Sequence, residues 1–228
     1  MIISGLQKLT LLDYPGKMAC TVFTYGCNFR CGFCHNALLV TEENSDSISE
    51  EEFFSFLRKR QGILEGVCIS GGEPTLQSDL AEFIGKIKAM GYCVKLDTNG
   101  SNPGVLKVLI DEKLIDYVAM DIKNSLEKYT MTCDCEVDVA LIKESVSTII
   151  ESGIDHEFRT TTVKEYHSAE DFLSIAEWIK GDSKYFLQHF EDSGNLIGEH
   201  LSPLSKEEML SFADSIRNKL PNVAIRGV

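Results

Sequence analysis

The chain has 228 residues and a formal net charge of −13, because 35 Asp and Glu outnumber 22 Lys and Arg. Hydrophobic residues make up 43% of the chain, which is enough for a large core and too many for a disordered protein. The acidic balance argues against a nucleic-acid-binding protein, since phosphate contacts need clustered Lys and Arg. No apolar run approaches the ~20 residues that span a bilayer, and the N-terminus does not resemble a secretion signal. We therefore expect a cytoplasmic protein without a membrane partner.

Short apolar runs alternate with helical patterns along the chain. The apolar runs predict strands, in chain order, over 18–24, 66–70, 92–97, 115–121, 156–163 and 184–190, with a short closing strand over 223–226. Helices are predicted between and after them, first from the Ser49–Glu52 capping box and then over 80–90, about 103–113, 141–152, 169–180 and 206–220.

Repeated strand-then-helix units predict parallel strands joined by right-handed crossovers. A complete eight-unit barrel typically has about 250 residues, so this chain has room for about six units. We therefore predict an α/β fold, an incomplete (β/α)6 TIM-like barrel with parallel strands that is open laterally; a doubly wound sheet is the alternative. The predicted single domain covers 1–228, with an N-terminal extension (1–17), a barrel core (18–190) and a C-terminal helix and closing strand (191–228).

Both architectures place their chemistry at the carboxyl ends of the strands. Unusual residues lie at or just past the predicted ends, namely Cys27, Gly71, Asp97, Asp121 and His189. We therefore expect one functional site at this end of the sheet.

Three of the eight cysteines lie close together, in the loop Cys27–Cys34 after the first predicted strand. Thiolates bind iron–sulfur clusters, zinc or copper(I). Structural zinc sites and ordinary 4Fe–4S clusters take four protein ligands, so three local thiols would leave one iron open for a substrate or cofactor. The alternative is a zinc site or four-cysteine cluster completed by a remote donor, for which Cys133 and Cys135 are the best candidates.

The spacing Cys-x3-Cys-x2-Cys, with Phe33 before the third cysteine, resembles the signature of the radical S-adenosylmethionine (radical SAM) enzymes. The resemblance implies a 4Fe–4S cluster held by Cys27, Cys31 and Cys34, with S-adenosylmethionine chelating the fourth iron. An electron from the cluster would split the cofactor into methionine and a 5′-deoxyadenosyl radical, which abstracts a hydrogen atom. The chain would then be a single radical SAM domain.

The later motifs match this family in order. Gly71, Gly72 and Glu73 resemble its GGE motif, which holds the amino group of the cofactor, although the residues alone are equally typical of a tight turn. Asp97-Thr-Asn99-Gly and Asp121-Ile-Lys123 resemble motifs of the activating enzymes for glycyl radical proteins; by themselves they predict a turn and a solvated ion pair. The resemblance implies a monovalent cation between Asp97 and Asp121. The cofactor-binding residues that it implies are Phe33, His35, Gly71, Gly72, Glu73, Asp97, Asn99, Asp121, Lys123, Arg159 and His189.

His189 and the cysteines outside the loop have simpler interpretations. His189 is equally typical of a hydrogen-bonded residue at a strand end. Cys20, Cys68 and Cys93 lie within apolar strands, where small core residues are expected. For Cys133 and Cys135 we favour no functional role.

The segment Gly5–Lys17, together with the cysteine loop ending at Asn36, resembles the anaerobic ribonucleoside-triphosphate reductase activating proteins. This implies a glycyl radical enzyme as partner, namely that reductase, and a flavodoxin or ferredoxin as electron donor. The alternatives are an activating enzyme for pyruvate formate-lyase or another glycyl radical enzyme, a small-molecule radical enzyme of the 7-carboxy-7-deazaguanine synthase type, and a non-catalytic metal-binding module.

Overall fold

The strands form one sheet whose order follows the chain. A computed structural model describes residues 1–42, 47–179 and 181–228, and these residues contain eight strands in the order β1 to β8. Strands β2 to β8 pair in parallel, each with the next. Because the order never reverses, the predicted open α/β barrel is confirmed, and the doubly wound alternative, which needs a reversal, is wrong. The strands are β1 (Ile3–Thr10), β2 (Ala19–Thr24), β3 (Gly66–Gly71), β4 (Cys93–Thr98), β5 (Tyr117–Asp121), β6 (Asp155–Thr162), β7 (Lys184–His189) and β8 (Val223–Arg226).

Helices connect the successive parallel strands from β2 to β8. They are α1 (Leu38–Thr41), α2 (Glu50–Arg58), α3 (Leu80–Ala89), α4 (Pro103–Asp111), α5 (Tyr129–Cys133), α6 (Val139–Ser152), α7 (Ala169–Trp178) and α8 (Lys206–Ile216). Both predicted capping boxes are present, at the starts of α2 and α8. Helix α6 begins two residues earlier than predicted, because Asp138 accepts a hydrogen bond from the amide of Ala140. The predicted end of α7 at Lys180 lies outside the described residues.

The first strand is a correction to the sequence prediction. Residues 1–17 were expected to be an extension, but they contain β1, which pairs antiparallel with β2. Strand β1 is an edge of the sheet with one partner, and its six central residues are partly or fully exposed. It therefore lacks the apolar pattern that marks the buried parallel strands.

Alternate residues of the strands face two different environments. In β4, Val94 and Leu96 pack in the main core, which also holds Phe83 and Ile87 of α3. Lys95 and Asp97 face the opposite side, which is the interior of the open barrel. This interior is polar at the carboxyl end of the strands, and the candidate site lies there. None of the helices in the three described ranges is long and apolar enough to cross a membrane.

Candidate active site in the barrel interior

A cavity of about 380 Å³ opens at the carboxyl ends of the strands. This volume is typical of pockets that bind small molecules. Most of the predicted site residues line it: Cys27, Cys31, Phe33, Cys34, His35, Gly71, Gly72, Asp97, Asn99, Asp121, Lys123 and Arg159. Glu73 and His189 are absent from this lining.

The cysteine loop is fixed by backbone hydrogen bonds on both sides. The Arg30 amide donates to the carbonyl of Cys133 (2.8 Å), and the Gly198 amide donates to the carbonyl of Gly32 (2.8 Å). The Asn36 side chain donates to the Gly71 carbonyl (3.0 Å), which ties the loop to the end of β3. These contacts hold all three thiols of the loop at one cavity.

The three thiols of the loop line one cavity without converging on a single point. Among residues 1–42, 47–179 and 181–228, no three His, Cys, Asp or Glu side chains converge closely enough to hold one ion. In a 4Fe–4S cluster each thiolate binds a different iron, so the thiols surround a common centre without meeting at a point.

The thiols differ in their surroundings. Burial raises the pKa of Cys27 to about 11 and also raises the pKa of Cys34. A hydrogen bond from the Cys133 thiol lowers the pKa of Cys31 to about 7, against the effect of burial, and the charge of Lys123 acts in the same direction. Cys133 is fully buried, and neither it nor Cys135 lines the cavity.

Gly71 and Gly72 are required by the packing of backbone on backbone. Gly71 has a φ of +115°, and a Cβ there would lie 2.2 Å from the amide nitrogen of Thr24. A Cβ on Gly72 would lie 1.9 Å from the carbonyl oxygen of Gly26. The two glycines thus let the end of β3 approach the cysteine loop.

Glu73 is held by buried hydrogen bonds beside the cavity. Its side chain is fully buried, and its carboxylate accepts hydrogen bonds from the Asn99 amide (2.6 Å), the Thr98 hydroxyl (2.8 Å) and the Thr75 amide (3.0 Å). Burial raises the pKa of this carboxyl group. The predicted contact of Glu73 with the amino group of the cofactor stays a prediction. Glu73 also positions Asn99, whose side-chain amide points to Asn28 (2.9 Å) and to the Cys27 sulfur (3.8 Å).

The charged residues of β4, β5 and β6 form one network. The Arg159 guanidinium contacts Asp121 Oδ1 through Nε (2.8 Å) and Asp97 Oδ2 through Nη1 (3.4 Å). Lys123 Nζ lies 3.1 Å from Asp121 Oδ2, and Lys95 forms a salt bridge with Asp97. Burial alone would raise the pKa of Asp121, but Arg159 and Lys123 outweigh it and hold this pKa at about 2. Both carboxylates are thus ionised and paired at neutral pH.

Lys95 is a site residue that the sequence analysis missed. The available signal was its position, two residues before Asp97 in the same strand, because residues i and i+2 face the same side. Within an apolar run, a lysine on that side must lie in the barrel interior. It is 1% exposed.

His189 lies outside the cavity lining, and its predicted role near the cofactor stays a prediction. It is the last residue of β7, and its neighbour Gln188 lines the cavity instead. Successive residues of a strand point to opposite faces, so only one of the two can reach the interior. The His189 side chain lines a separate shallow depression with Lys164 and Glu208.

Phe33 and His35 lie where the motif predicts. The Phe33 ring packs against Tyr166 at a centroid distance of 5.9 Å, with Lys123 Nζ 5.9 Å from its centre. The His35 ring packs against Phe190, and burial lowers the pKa of His35. Both rings therefore form the wall of the cavity beside the thiols.

Comparison with known proteins identifies the family of this chain. The model of the Radical SAM superfamily matches residues 21–179. A putative glycyl-radical enzyme activating enzyme of Methanocaldococcus jannaschii is 37% identical over 236 residues, covering 100% of this chain and 96% of that protein. The chain belongs to the glycyl-radical enzyme activating enzymes of the radical SAM superfamily. The pyruvate formate-lyase-activating enzyme of Clostridium pasteurianum is 30% identical over 127 residues, which cover 54% of this chain and 52% of that enzyme.

A solved structure shares the fold of this radical SAM enzyme. The crystal structure of Streptococcus suis SuiB bound to S-adenosylmethionine superposes with a TM-score of 0.69, covering 89% of this chain and 48% of that one, at 16% sequence identity. The similarity concerns the fold alone. Membership of the superfamily implies a 4Fe–4S cluster and S-adenosylmethionine, and the thiols and charged residues around the cavity fit both groups.

Proposed function

We propose that this enzyme reductively cleaves S-adenosylmethionine and generates a glycyl radical on a partner enzyme, an anaerobic ribonucleoside-triphosphate reductase. The observation that carries the proposal is the lining of one cavity by the three thiols of Cys27, Cys31 and Cys34 and by the Asp97–Arg159–Asp121 network. The family relationship supports the same reaction class.

In this proposal the residues of the chain bind the iron–sulfur cluster and S-adenosylmethionine and orient them in the cavity. Cys27, Cys31 and Cys34 hold the cluster, which together with S-adenosylmethionine supplies radical chemistry when bound. The Asn99 side-chain amide donates toward the Cys27 sulfur and restrains that ligand. The cationic groups of Arg159 and Lys123 face the cavity and suit the carboxylate of the cofactor.

Two features support a protein substrate. The sheet ends at two edges, β1 and β8, so the barrel leaves a lateral opening through which a loop of a partner could enter. The segment that resembles the reductase activating proteins exposes large apolar side chains: Leu11 is 69% exposed and Leu12 is 89% exposed. These two side chains precede β2 and therefore lie at the amino ends of the parallel strands, so they would contact the surface of a partner and not the loop that enters the cavity.

The test is anaerobic reconstitution with iron and sulfide, followed by reduction and addition of S-adenosylmethionine and a candidate partner. We expect methionine and 5′-deoxyadenosine as products, and a doublet glycyl signal by electron paramagnetic resonance on the reductase. Cys31→Ala should abolish both. Cys93→Ala is the matched control, because Cys93 is partly buried outside the cavity, and it should retain both.

The outcomes separate the levels of the proposal. Failure of the reconstituted wild-type protein to cleave the cofactor would refute the reaction. Cleavage with a glycyl signal on pyruvate formate-lyase but none on the reductase would keep the reaction and refute the choice of partner. Cleavage by Cys31→Ala would refute the ligand assignment.

A further inference from the structure

The place predicted for a monovalent cation is filled by a side chain of the protein. The sequence predicted a cation between the carboxylates of Asp97 and Asp121. In the structure the guanidinium of Arg159 lies between them, with Nε 2.8 Å from Asp121 Oδ1 and Nη1 3.4 Å from Asp97 Oδ2. A small ion that bridged the same oxygens would have to displace this guanidinium.

The charges of the surrounding side chains also argue against a cation bound between Asp97 and Asp121. Asp97 and Asp121 contribute two negative charges. Lys95, Lys123 and Arg159 contact these carboxylates and contribute three positive charges, so these five side chains carry one net positive charge, which the carboxylate of Asp13 in the same cavity reduces to zero. The two carboxylates are thus already neutralised from within the chain, and a further cation between them would be repelled by the three side-chain cations that contact them.

Burial and strand pairing keep the side chains of Lys95 and Arg159 next to Asp97 and Asp121, so they leave no room for a bound cation. Lys95 is 1% exposed, and the side chains of Arg159 and Asp97 are each 15% exposed. Arg159 on β6 pairs in register with Asp121 on β5, so the backbone ladder fixes their separation. Lys95 and Asp97 lie two residues apart on the same face of β4.

Two other carboxylates, those of Glu157 and Asp13, face this charge network. Glu157, also on β6, forms two hydrogen bonds of 2.9 Å with the guanidinium of Arg226, and this pair is neutral. Asp13 also lines the cavity, and its carboxylate accepts a hydrogen bond from the Thr21 hydroxyl (2.5 Å). The ion pairs of Asp97 and Asp121 are with the three cations, and the Ser70 hydroxyl also donates to Asp97 (3.0 Å).

We propose that Asp97 and Asp121 bind no monovalent cation, because Arg159 and Lys95 supply the positive charge from within the chain. Lys95 is a positioning residue that compensates Asp97 and so leaves Arg159 and Lys123 free to receive an anionic ligand. The identity of this ligand as the carboxylate of S-adenosylmethionine rests on the proposed function. The inference that no monovalent cation binds is independent of the proposed function.

The first test measures ion binding on the cluster-free, full-length protein. Sodium is titrated in a tetramethylammonium buffer of constant ionic strength, and saturable broadening of the ²³Na resonance that potassium reverses is the signal. We expect none for the wild-type protein, and none for Lys107→Met, which removes an exposed lysine from an ion pair on α4. Lys95→Met should gain the signal, because it leaves Asp97 with one cation fewer.

Saturable sodium binding by the wild-type protein would overturn the proposal. Lack of the signal in a folded Lys95→Met variant would overturn the role given to Lys95. If that variant fails to fold, the wild-type measurement still decides whether a cation binds.

The second test measures the affinity of the reconstituted protein for S-adenosylmethionine in potassium, sodium and tetramethylammonium buffers of equal ionic strength. We expect dissociation constants that agree within about twofold, and weakening by more than tenfold in tetramethylammonium would overturn the proposal. A protein that binds no S-adenosylmethionine in any buffer would refute the proposed function, while the sodium titration would still decide the present inference.

Discussion

Replacing Gly72 by alanine tests the close approach between β3 and the cysteine loop. The new Cβ would lie 1.9 Å from the Gly26 carbonyl oxygen, and real Cβ contacts essentially never fall below 3.0 Å. The atom in the way is backbone, so the loop must retreat by about 1 Å, on the scale that disrupts packing. Two hydrogen bonds cross this junction, from Glu73 N to Gly26 O (2.8 Å) and from Gly72 N to Thr24 O (2.9 Å).

The expected cost follows from these contacts. Loss of two backbone hydrogen bonds costs about 1 kcal/mol each, and overpacking adds about 1–3 kcal/mol. We therefore expect the free energy of unfolding to fall by about 3–5 kcal/mol for Gly72→Ala. For a chain of this length, that lowers Tm by on the order of 10 °C.

Urea unfolding, followed by circular dichroism, measures this change. Gly85→Ala is the matched control: Gly85 lies inside α3, where an added Cβ meets nothing within 4 Å. Alanine favours a helix over glycine by about 1 kcal/mol, so this variant should be slightly more stable than the wild-type protein. The reasoning is refuted if Gly72→Ala unfolds within about 0.5 kcal/mol of the wild-type protein, the ordinary scatter of a neutral surface substitution.

Two further predictions concern Cys133 and Asp121. Cys133→Ala should reconstitute with the same iron content as the wild-type protein, because Cys133 lies outside the cavity lining, and should lose about 1 kcal/mol of stability from lost burial. A lower iron content would instead support Cys133 as a fourth ligand. The pKa of Asp121 is held at about 2, below its ordinary 3.8, so its stabilising effect is complete above about pH 4 and disappears as the pH falls through 2. The free energy of unfolding of Asp121→Asn should therefore fall less than that of the wild-type protein between pH 4 and pH 2; equal slopes in urea titrations would contradict this.

The sequence located the buried parallel strands and their helices, because those elements carry strong apolar periodicity. It missed β1, whose residues Ser4 to Leu9 are partly or fully exposed and whose single partner, β2, lies on one side only. Pairing of an edge strand is a tertiary contact, and a sequence in which polar and apolar residues follow no regular alternation does not reveal it. The choice between an open barrel and a doubly wound sheet likewise depends on strand order, which only the assembled sheet shows.

The cysteine loop was predictable because the ligands are close in sequence. The positions of Glu73 and His189, outside the cavity lining, could not be predicted for a different reason. A parallel strand is buried on both faces, so its sequence shows where it ends but not which of two neighbouring residues points inward. At the end of β7 the inward residue is Gln188. At the end of β3, the turn directs the Glu73 carboxylate to three buried donors and away from the cavity.

The charge network itself argues for a ligand. Taking charges out of water is expensive, and replacing a buried ion network by apolar side chains is often neutral or stabilising. A barrel interior that only supported the fold would therefore be expected to hold apolar side chains at positions 95, 97, 121 and 159. The chain instead holds one lysine, one arginine and two aspartates at these positions. A further cation, Lys123, lines the same cavity as the thiols. Arg159 and Lys123 line the cavity, so an anionic group bound beside the thiols would meet two cations that are already held in place by Asp97 and Asp121.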